Sequence, residues 1–172
     1  MASVPQARRA AFAGARGQPD RANRMITINF QRVRADDVSL GMAVFSLMSS
    51  VFDEPLCDQS PAYVEKLLRR EDFWAIAAIE DRAPVGGLTA FTLPMTRTQR
   101  DELLIYDLAV LPTYQRRGIG RRLIQTVQGL AADAGTKTSW VPAANDDGHA
   151  LEFYRSIGGT PNPVTIFTFD RE

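Results

Sequence analysis

The sequence predicts an α/β protein with a mixed central β-sheet flanked by helices. Apolar runs of strand length alternate with amphipathic helical patterns, in the order β-α-α-β-β-β-α-β-α-β. Strands interrupted by two crossover helices are typical of a mixed sheet with helices on its faces. The 172 residues suffice for one sizeable core but hardly for two. We therefore expect one domain at residues 25–172, preceded by a disordered leader at residues 1–24.

The first half of the chain predicts one strand and two helices. Apolar and polar residues alternate at 25–33, as they do in a half-buried strand. Asp36 or Asp37 then offers an N-cap for a helix. Ser60 and Pro61 indicate the start of a second helix, because serine caps helices well and proline fits the first helical position. The two helices are expected to end near residues 51 and 70.

The second half is divided by glycines and prolines into strands and helices. We expect a hairpin of strands 73–79 and 85–93, a strand at 102–111, a helix from about 121 to Gly135, a short strand at 137–141, a helix at 146–157 and a last alternating strand at 164–169.

Charge and composition narrow the possible functions. The net formal charge is zero, but the leader holds five arginines against one aspartate, so the rest of the chain is acidic. An acidic surface raises the local concentration of cationic substrates. The leader lacks interleaved aromatic residues, so we expect no nucleic-acid partner. One cysteine, Cys57, and one histidine, His149, form neither a disulfide nor a four-ligand zinc site, so no metal is predicted.

Membrane association is not indicated by the sequence. No apolar run approaches the roughly 20 residues that cross a bilayer, and the N-terminus lacks the apolar segment of a secretory signal. We therefore expect no membrane partner and a cytoplasmic location.

The most informative stretch is Q-R-R-G-I-G at 115–120, which connects a strand ending at Pro112 to a helix. Glycines at 118 and 120 permit positive φ and close backbone approach, so successive amides can face an anion at the helix N-terminus. Nearby guanidinium groups can pair with phosphate; they belong to Arg116, Arg117, Arg121 and Arg122. A bare G-x-G also fits an ordinary loop, but this strand-loop-helix context favours a pyrophosphate cradle.

This stretch resembles the acetyl-CoA signature of the Gcn5-related N-acetyltransferases, Gln/Arg-x-x-Gly-x-Gly/Ala. The resemblance covers nearly all of the chain beyond the leader and implies acetyl-CoA as the cofactor. It implies that the strand before the loop splays from its neighbour, and that its backbone holds the pantetheine arm. It also implies a tyrosine, here Tyr154, near the acetyl sulfur. The implied cofactor-binding residues are Leu108, Ala109, Val110, Gln115, Arg116, Arg117, Gly118, Ile119, Gly120, Arg121 and Asn145.

Two further stretches resemble one group within that family. I-Y-D-L-A-V at 105–110, with Glu102 ahead of it, and N-D-D at 145–147 are similar to the aminoglycoside 3-N-acetyltransferases of type I, which give gentamicin resistance. The resemblance implies acetylation of the 3-amino group of a polycationic aminoglycoside. It also implies a homodimer. The apolar I-F-T-F at 166–169, a strand that could pair across a two-fold axis, supports the same expectation. Acetylation of a peptide amine or small polyamine, and a non-catalytic acyl-CoA-binding module, remain alternatives.

The reaction defines what the catalytic residues must do. An amine attacks a thioester only as the free base, so the site must remove a proton, stabilise an oxyanion and protonate a thiolate. Asp107 is the first candidate for the general base or for a carboxylate that orients the ammonium group. Glu102 is the second, acting through water, or else it is a solvated strand-edge residue. Tyr154 is the candidate acid or a core aromatic, and the Val110 amide is a candidate oxyanion donor.

The geometry of the strand bears on both carboxylates. Asp107 and Glu102 are five residues apart, so a regular strand places them on opposite faces. A bulge, which the family resemblance implies, would change that. Substrate ammonium groups are expected to meet Glu54, Tyr106, Asp107, Asp146 and Asp147. Since only one of Asp146 and Asp147 can cap the helix that follows, the other is the better substrate ligand.

Overall fold

The computed structural model describes residues 27–55 and 59–169; the predicted leader at 1–24 and Cys57 lie outside these ranges. The described residues form a mixed five-stranded sheet with strand order β1-β2-β3-β4-β5 and helices on both faces, as predicted. The elements are β1 Asn29–Arg32, α1 Val38–Val51, α2 Pro61–Leu68, β2 Phe73–Glu80, β3 Ala83–Pro94, β4 Asp101–Val110, a 3-10 turn Pro112–Tyr114, α3 Ile119–Asp133, β5 Thr138–Trp140 and α4 Gly148–Ser156.

Helix starts follow the capping signals in the sequence. Asp37, not Asp36, caps α1, because its Oδ1 accepts a hydrogen bond from the Leu40 amide at 3.2 Å. Ser60 caps α2 through the Tyr63 amide at 3.2 Å, and Pro61 occupies the first helical position. These side chains satisfy amides that have no partner within the helix.

Two cores cover the two faces of the sheet. On one face, α3 packs against the sheet; its core includes Ile76, Leu88, Leu103, Leu123 and Val127. On the other face, α1 and α2 pack; that core includes Val44, Met48, Val64, Ala77 and Ala109. Gly87 permits the close approach of α1 to β3, since a Cβ at this position would lie 2.6 Å from Val44 Cγ1.

A β-bulge interrupts β4 beside the predicted catalytic carboxylate. Asp107 pairs with Thr89 and Ile105 pairs with the adjacent Ala90, which leaves Tyr106 as the extra residue. Leu103 and Ile105 enter the α3-side core before the bulge, and Leu108 enters it afterwards, so the alternation of the strand changes phase. Glu102 and Asp107 therefore lie on the same face of the sheet, the one covered by α1 and α2.

Past its first residues, β4 loses its neighbour on one side. The parallel strand β5 pairs with β4 only from Glu102 to Leu104, and β5 itself is three residues long rather than the five predicted. The splay that the family resemblance implied is thus present. It leaves one edge of Ile105–Val110 open toward α4.

The predicted last strand at 164–169 is wrong. This segment forms no strand in the structure, and its large apolar side chains are strongly exposed, from 64% for Ile166 to 91% for Phe169. Alternating apolar residues favour a strand only where a sheet edge is available for hydrogen bonding, and the segment meets no such edge within the described part of its own chain. Among the described residues, no helix combines the length and apolarity needed to cross a membrane.

Candidate active site

The loop before α3 has the backbone geometry of an anion site. Gly118, the N-cap of α3, adopts φ +78°, and Arg116 adopts φ +63° although it carries a side chain. Left-handed residues close together turn successive amides toward one concave side, and the N-terminus of α3 adds its positive dipole end there. Arg116 is strained in this conformation, and such strain is characteristic of functional loops.

Gly120 is needed for a different reason from the one predicted. It lies inside α3 without positive φ, and a Cβ added to it would lie 3.1 Å from Phe153 Cζ. Its role is the close contact of α3 with α4. Of the two glycines in the motif, only Gly118 uses the conformational freedom of glycine.

Two predicted cofactor-binding side chains are anchored to the protein itself. Gln115 Nε2 donates a hydrogen bond to the Val110 carbonyl at 3.0 Å, which connects the loop to the end of β4. A guanidinium nitrogen of Arg121 donates to the Ser156 carbonyl at 3.0 Å, which connects α3 to the end of α4. Arg121 is nevertheless exposed beside the loop.

A groove of about 450 Å³ runs between the loop and α4. Residues from the 3-10 turn, the loop, the start of α3 and α4 line it: Val110, Tyr114, Gln115, Arg116, Gly118, Ile119, Gly120, Arg121, Glu152, Phe153, Ser156 and Ile157. The lining combines apolar side chains such as Ile119 and Phe153 with the polar groups of the loop, including Arg116 and Arg121. This combination suits an elongated ligand with an apolar arm and an anionic end.

The open edge of β4 supplies main-chain groups to this groove. The Leu111 amide donates to the Val85 carbonyl at 3.0 Å, so Leu111 faces β3. Because the hydrogen-bonding direction alternates along an antiparallel strand, Ala109 faces β3 as well, and the amides of Leu108 and Val110 point to the splayed side. The Val110 carbonyl, on that side, is the group that Gln115 binds. Coenzyme A fits these features: its phosphates match the loop, and its amide-containing arm matches the open strand edge.

Thr89 holds the carboxylate of Asp107. Its hydroxyl donates to Asp107 Oδ2 at 3.0 Å, and Thr89 is only 5% exposed. A hydrogen bond to a carboxylate favours its charged form. Thr89 was not among the residues predicted from the sequence. The available signal was one hydroxyl in the apolar run G-G-L-T-A-F, on a strand expected to pair with the strand of Asp107.

Tyr154 lies near two aspartates. Burial raises the pKa of its phenol, and the negative charges of Asp147 and Asp107 raise that pKa further. The phenol therefore keeps its proton at neutral pH and is present as an O–H hydrogen-bond donor. Tyr154 also packs against the α3-side core and edge-on to Phe153 at 5.2 Å, so the core interpretation and the acid interpretation are compatible.

The other predicted substrate-binding residues lie at three places: the start of α4, the bulge of β4 and the end of α1. Asp147 caps α4 by accepting from the Ala150 amide at 3.0 Å, so Asp146, which is exposed, is the member of the pair that does not cap the helix. Tyr106, 45% exposed, meets Phe91 edge-on at 5.8 Å. Glu54 is exposed beyond the end of α1.

Two predicted residues are less central. Glu102 pairs with Leu93 and Thr138 at the start of β4, roughly 15 Å along the strand from Asp107. Asn145 is exposed in the turn before α4. The structure thus brings together Asp107, Tyr154 and Asp147, but not Glu102.

Comparison with known proteins agrees with this architecture. The family model described as "Acetyltransferase (GNAT) family" matches residues 41–158, more than half of the chain. The protein therefore belongs to the GNAT acetyltransferase family. Members of that family use acetyl-CoA.

Solved structures from soil metagenomic samples resemble the chain over most of its length. An aminoglycoside acetyltransferase solved with sisomicin is 27% identical, with a TM-score of 0.80, covering 84% of this chain and 97% of that one. A second aminoglycoside acetyltransferase is 29% identical, with a TM-score of 0.72, covering 86% of this chain and 100% of that one.

A curated relative carries a different substrate in its name. The ribosomal protein bS18-alanine N-acetyltransferase of Escherichia coli strain K12 is 32% identical over 73 residues, which are 42% of this chain and 48% of the relative. The chain thus matches about half the length of that relative.

Proposed function

We propose that the protein transfers the acetyl group of acetyl-CoA to an amine of an aminoglycoside, with the 3-amino group as the acceptor. The observation that carries the proposal is the partly buried Thr89–Asp107 hydrogen bond, which orients a carboxylate near Tyr154 on the strand whose edge is open. The likeness to two aminoglycoside acetyltransferases over more than four fifths of this chain supports the substrate class.

Each chemical step of the proposed reaction is assigned to a different residue. Acetyl-CoA supplies the activated thioester. Asp107 binds the acceptor ammonium and takes a proton, so that the amine nitrogen can bond to the acetyl carbon. The Val110 amide donates to the oxygen that becomes negative. Tyr154 gives its proton to the sulfur as the carbon–sulfur bond breaks. The ammonium nitrogen loses two protons in becoming the amide: the one taken by Asp107 is released to solvent, and the other replaces the proton that Tyr154 gives to the sulfur.

Acidic groups around this centre suit a substrate with several ammonium groups. Asp146 and Glu54 are exposed, and Tyr106 offers an aromatic face to a sugar ring. Such carboxylates bind ammonium groups through charge-assisted hydrogen bonds. A peptide amine needs one anionic contact at most, so these extra groups favour the polycationic acceptor.

The first test is thiol release from acetyl-CoA with gentamicin, spermine, and peptides that carry a free N-terminal alanine or a lysine. We expect turnover with gentamicin, loss of that turnover in Asp107→Asn, and an acetyl group on the 3-amino nitrogen by NMR. Preference for the alanine peptide would support the peptide alternative, which the bS18-alanine relative motivates. CoA binding without turnover of any amine would support the non-catalytic module.

We also propose that the protein self-associates through residues 164–169. In the described chain β5 pairs only with β4, and the exposed apolar side chains of this segment have the alternation of a strand. A segment from a second copy could add to the outer edge of β5. Light scattering should give the mass of two chains at micromolar concentration. Removal of residues 161–172 should reduce it to one, and a one-chain mass for the intact protein would contradict the proposal.

A further inference from the structure

A contact between distant parts of the chain supports the cofactor loop from outside. Glu80 is the last residue of β2, and its Oε2 accepts a hydrogen bond from the hydroxyl of Tyr114, 34 residues later. Tyr114 ends the 3-10 turn immediately before the loop, and it lines the groove of the candidate active site. The β2–β3 hairpin is therefore connected to the entrance of the loop.

The same tyrosine also holds an arginine of the loop. The guanidinium carbon of Arg117 lies 5.1 Å from the centroid of the Tyr114 ring, a distance at which the cation is attracted to the ring face. Gln115, the next residue, is anchored to Val110. Both ends of the strained Arg116 are thus fixed by neighbours: Gln115 on one side and Arg117 on the other.

Glu80 occupies an unfavourable position for a carboxylate. Its Oε1 is buried and has no hydrogen-bond partner among the described residues. A buried carboxylate oxygen without a hydrogen-bond partner lowers the stability of the fold. The hydrogen bond that fixes Tyr114 can offset this loss of stability.

We propose that Glu80 and Tyr114 are positioning residues for the cofactor: together they hold the 115–118 loop and Arg117 in the conformation that receives the phosphates of coenzyme A. The inference concerns cofactor binding in the site of the proposed function and depends on that site's use of acetyl-CoA. It does not depend on which amine is acetylated.

Calorimetric titration with CoA tests the inference directly. We expect Tyr114→Phe, which keeps the ring but removes the hydroxyl, to weaken CoA binding by about 5-fold to 10-fold. Glu80→Ala should weaken it by a similar factor. Because the two groups act through one hydrogen bond, the double variant should be no weaker than either single variant. Glu80→Gln keeps an oxygen that can accept from Tyr114, so its loss should be smaller than that of Glu80→Ala.

Tyr63→Phe is the matched control, since Tyr63 is 53% exposed on α2, away from the loop. It should bind CoA as the unsubstituted protein does. A general structural role would lower the melting temperature and kcat together. A positioning role should instead raise KM for acetyl-CoA while kcat at saturation and KM for the amine stay constant.

Three results would overturn the inference: CoA affinity of Tyr114→Phe within about 2-fold of the unsubstituted protein, additive losses in the double variant, or a loss of kcat equal to the loss of affinity. A different result would refute the proposed function. If the unsubstituted protein binds CoA but acetylates no aminoglycoside, the aminoglycoside assignment is refuted, and the CoA titrations still decide the roles of Glu80 and Tyr114.

Discussion

The cofactor region and the acceptor region meet on β4 but are constructed differently. The cofactor region, residues 108–121, is one continuous stretch whose ligand-binding groups are largely main-chain amides. The proposed acceptor region consists of side chains from β3, β4, the turn before α4, and α4, namely Thr89, Tyr106, Asp107, Asp146 and Tyr154. The first region depends on backbone conformation, and the second depends on the register and packing of distant segments. Substitutions should therefore affect the two regions independently, and the predictions below test this separation.

The largest effect is expected at Asp107. Asp107→Asn keeps the shape but removes the base, so kcat/KM for the acceptor should fall by about 10³-fold. CoA affinity by calorimetry should stay within about 2-fold, because the carboxylate is not part of the cofactor region. A matching loss of CoA affinity would show that the two regions are not separable.

Tyr154→Phe should have the next largest effect. Removing the proton donor should lower kcat by about 10²-fold, with KM for acetyl-CoA little changed. Rapid-quench measurement of the chemical step distinguishes this from slow product release. Activity equal to that of the unsubstituted protein would leave Tyr154 as a core residue only.

The raised pKa of Tyr154 also predicts that the stability of the fold depends on pH. Its pKa is raised above the ordinary value of 10.0 in the folded state, while in the unfolded chain it returns to that value. The stabilisation is therefore complete below about pH 10 and is lost as the pH rises above it. Urea unfolding at about pH 9 and about pH 11 should show a larger loss of stability in the unsubstituted protein than in Tyr154→Phe.

Thr89 gives a smaller effect that tests the cross-strand pair. Thr89→Val is nearly isosteric but donates no hydrogen bond to Asp107, so kcat/KM should fall by about 10-fold. Thr89→Ser should restore most of the activity, and equal loss in both variants would indicate a packing effect instead.

Gly118→Ala is expected to have the smallest cost and to act on the cofactor region alone. A side chain at φ +78° should reduce stability by about 1 kcal/mol and weaken CoA binding, with KM for the amine unchanged. Gly129→Ala is the control in the same helix, where an added Cβ meets no atom within 4 Å. It should stabilise α3 by about 0.5–1 kcal/mol without changing CoA affinity.

Local signals in the sequence predicted most of the fold. The caps at Asp37 and Ser60, the turn between β2 and β3, and the glycine before α3 each depend on neighbouring residues only. The strand wrongly predicted at 164–169 depended instead on a distant part of the structure. Its alternation is real, but strand formation requires an edge strand from elsewhere, and no local pattern states whether one is available.

The candidate site likewise combines features that adjacent residues predict with features that depend on distant residues. The anion loop was visible because its glycine, its arginines and the following helix are contiguous. The role of Gly120 was not visible in the sequence, because the side chain that a Cβ at this position would contact, Phe153, belongs to α4. Thr89 and Glu80 were missed for the same reason: their partners, Asp107 and Tyr114, are 18 and 34 residues away.

The sequence by itself therefore determined the α/β class, the order of most elements, and the loop that marks the family, since these follow from the conformational preferences of adjacent residues. Tertiary structure alone decided that the bulge at Tyr106 places Glu102 and Asp107 on one face, that Asp147 caps α4 and leaves Asp146 exposed, and that Thr89 supports Asp107. Each of these depends on strand register and helix packing, which are fixed by free-energy differences between whole arrangements of the chain rather than by any single segment.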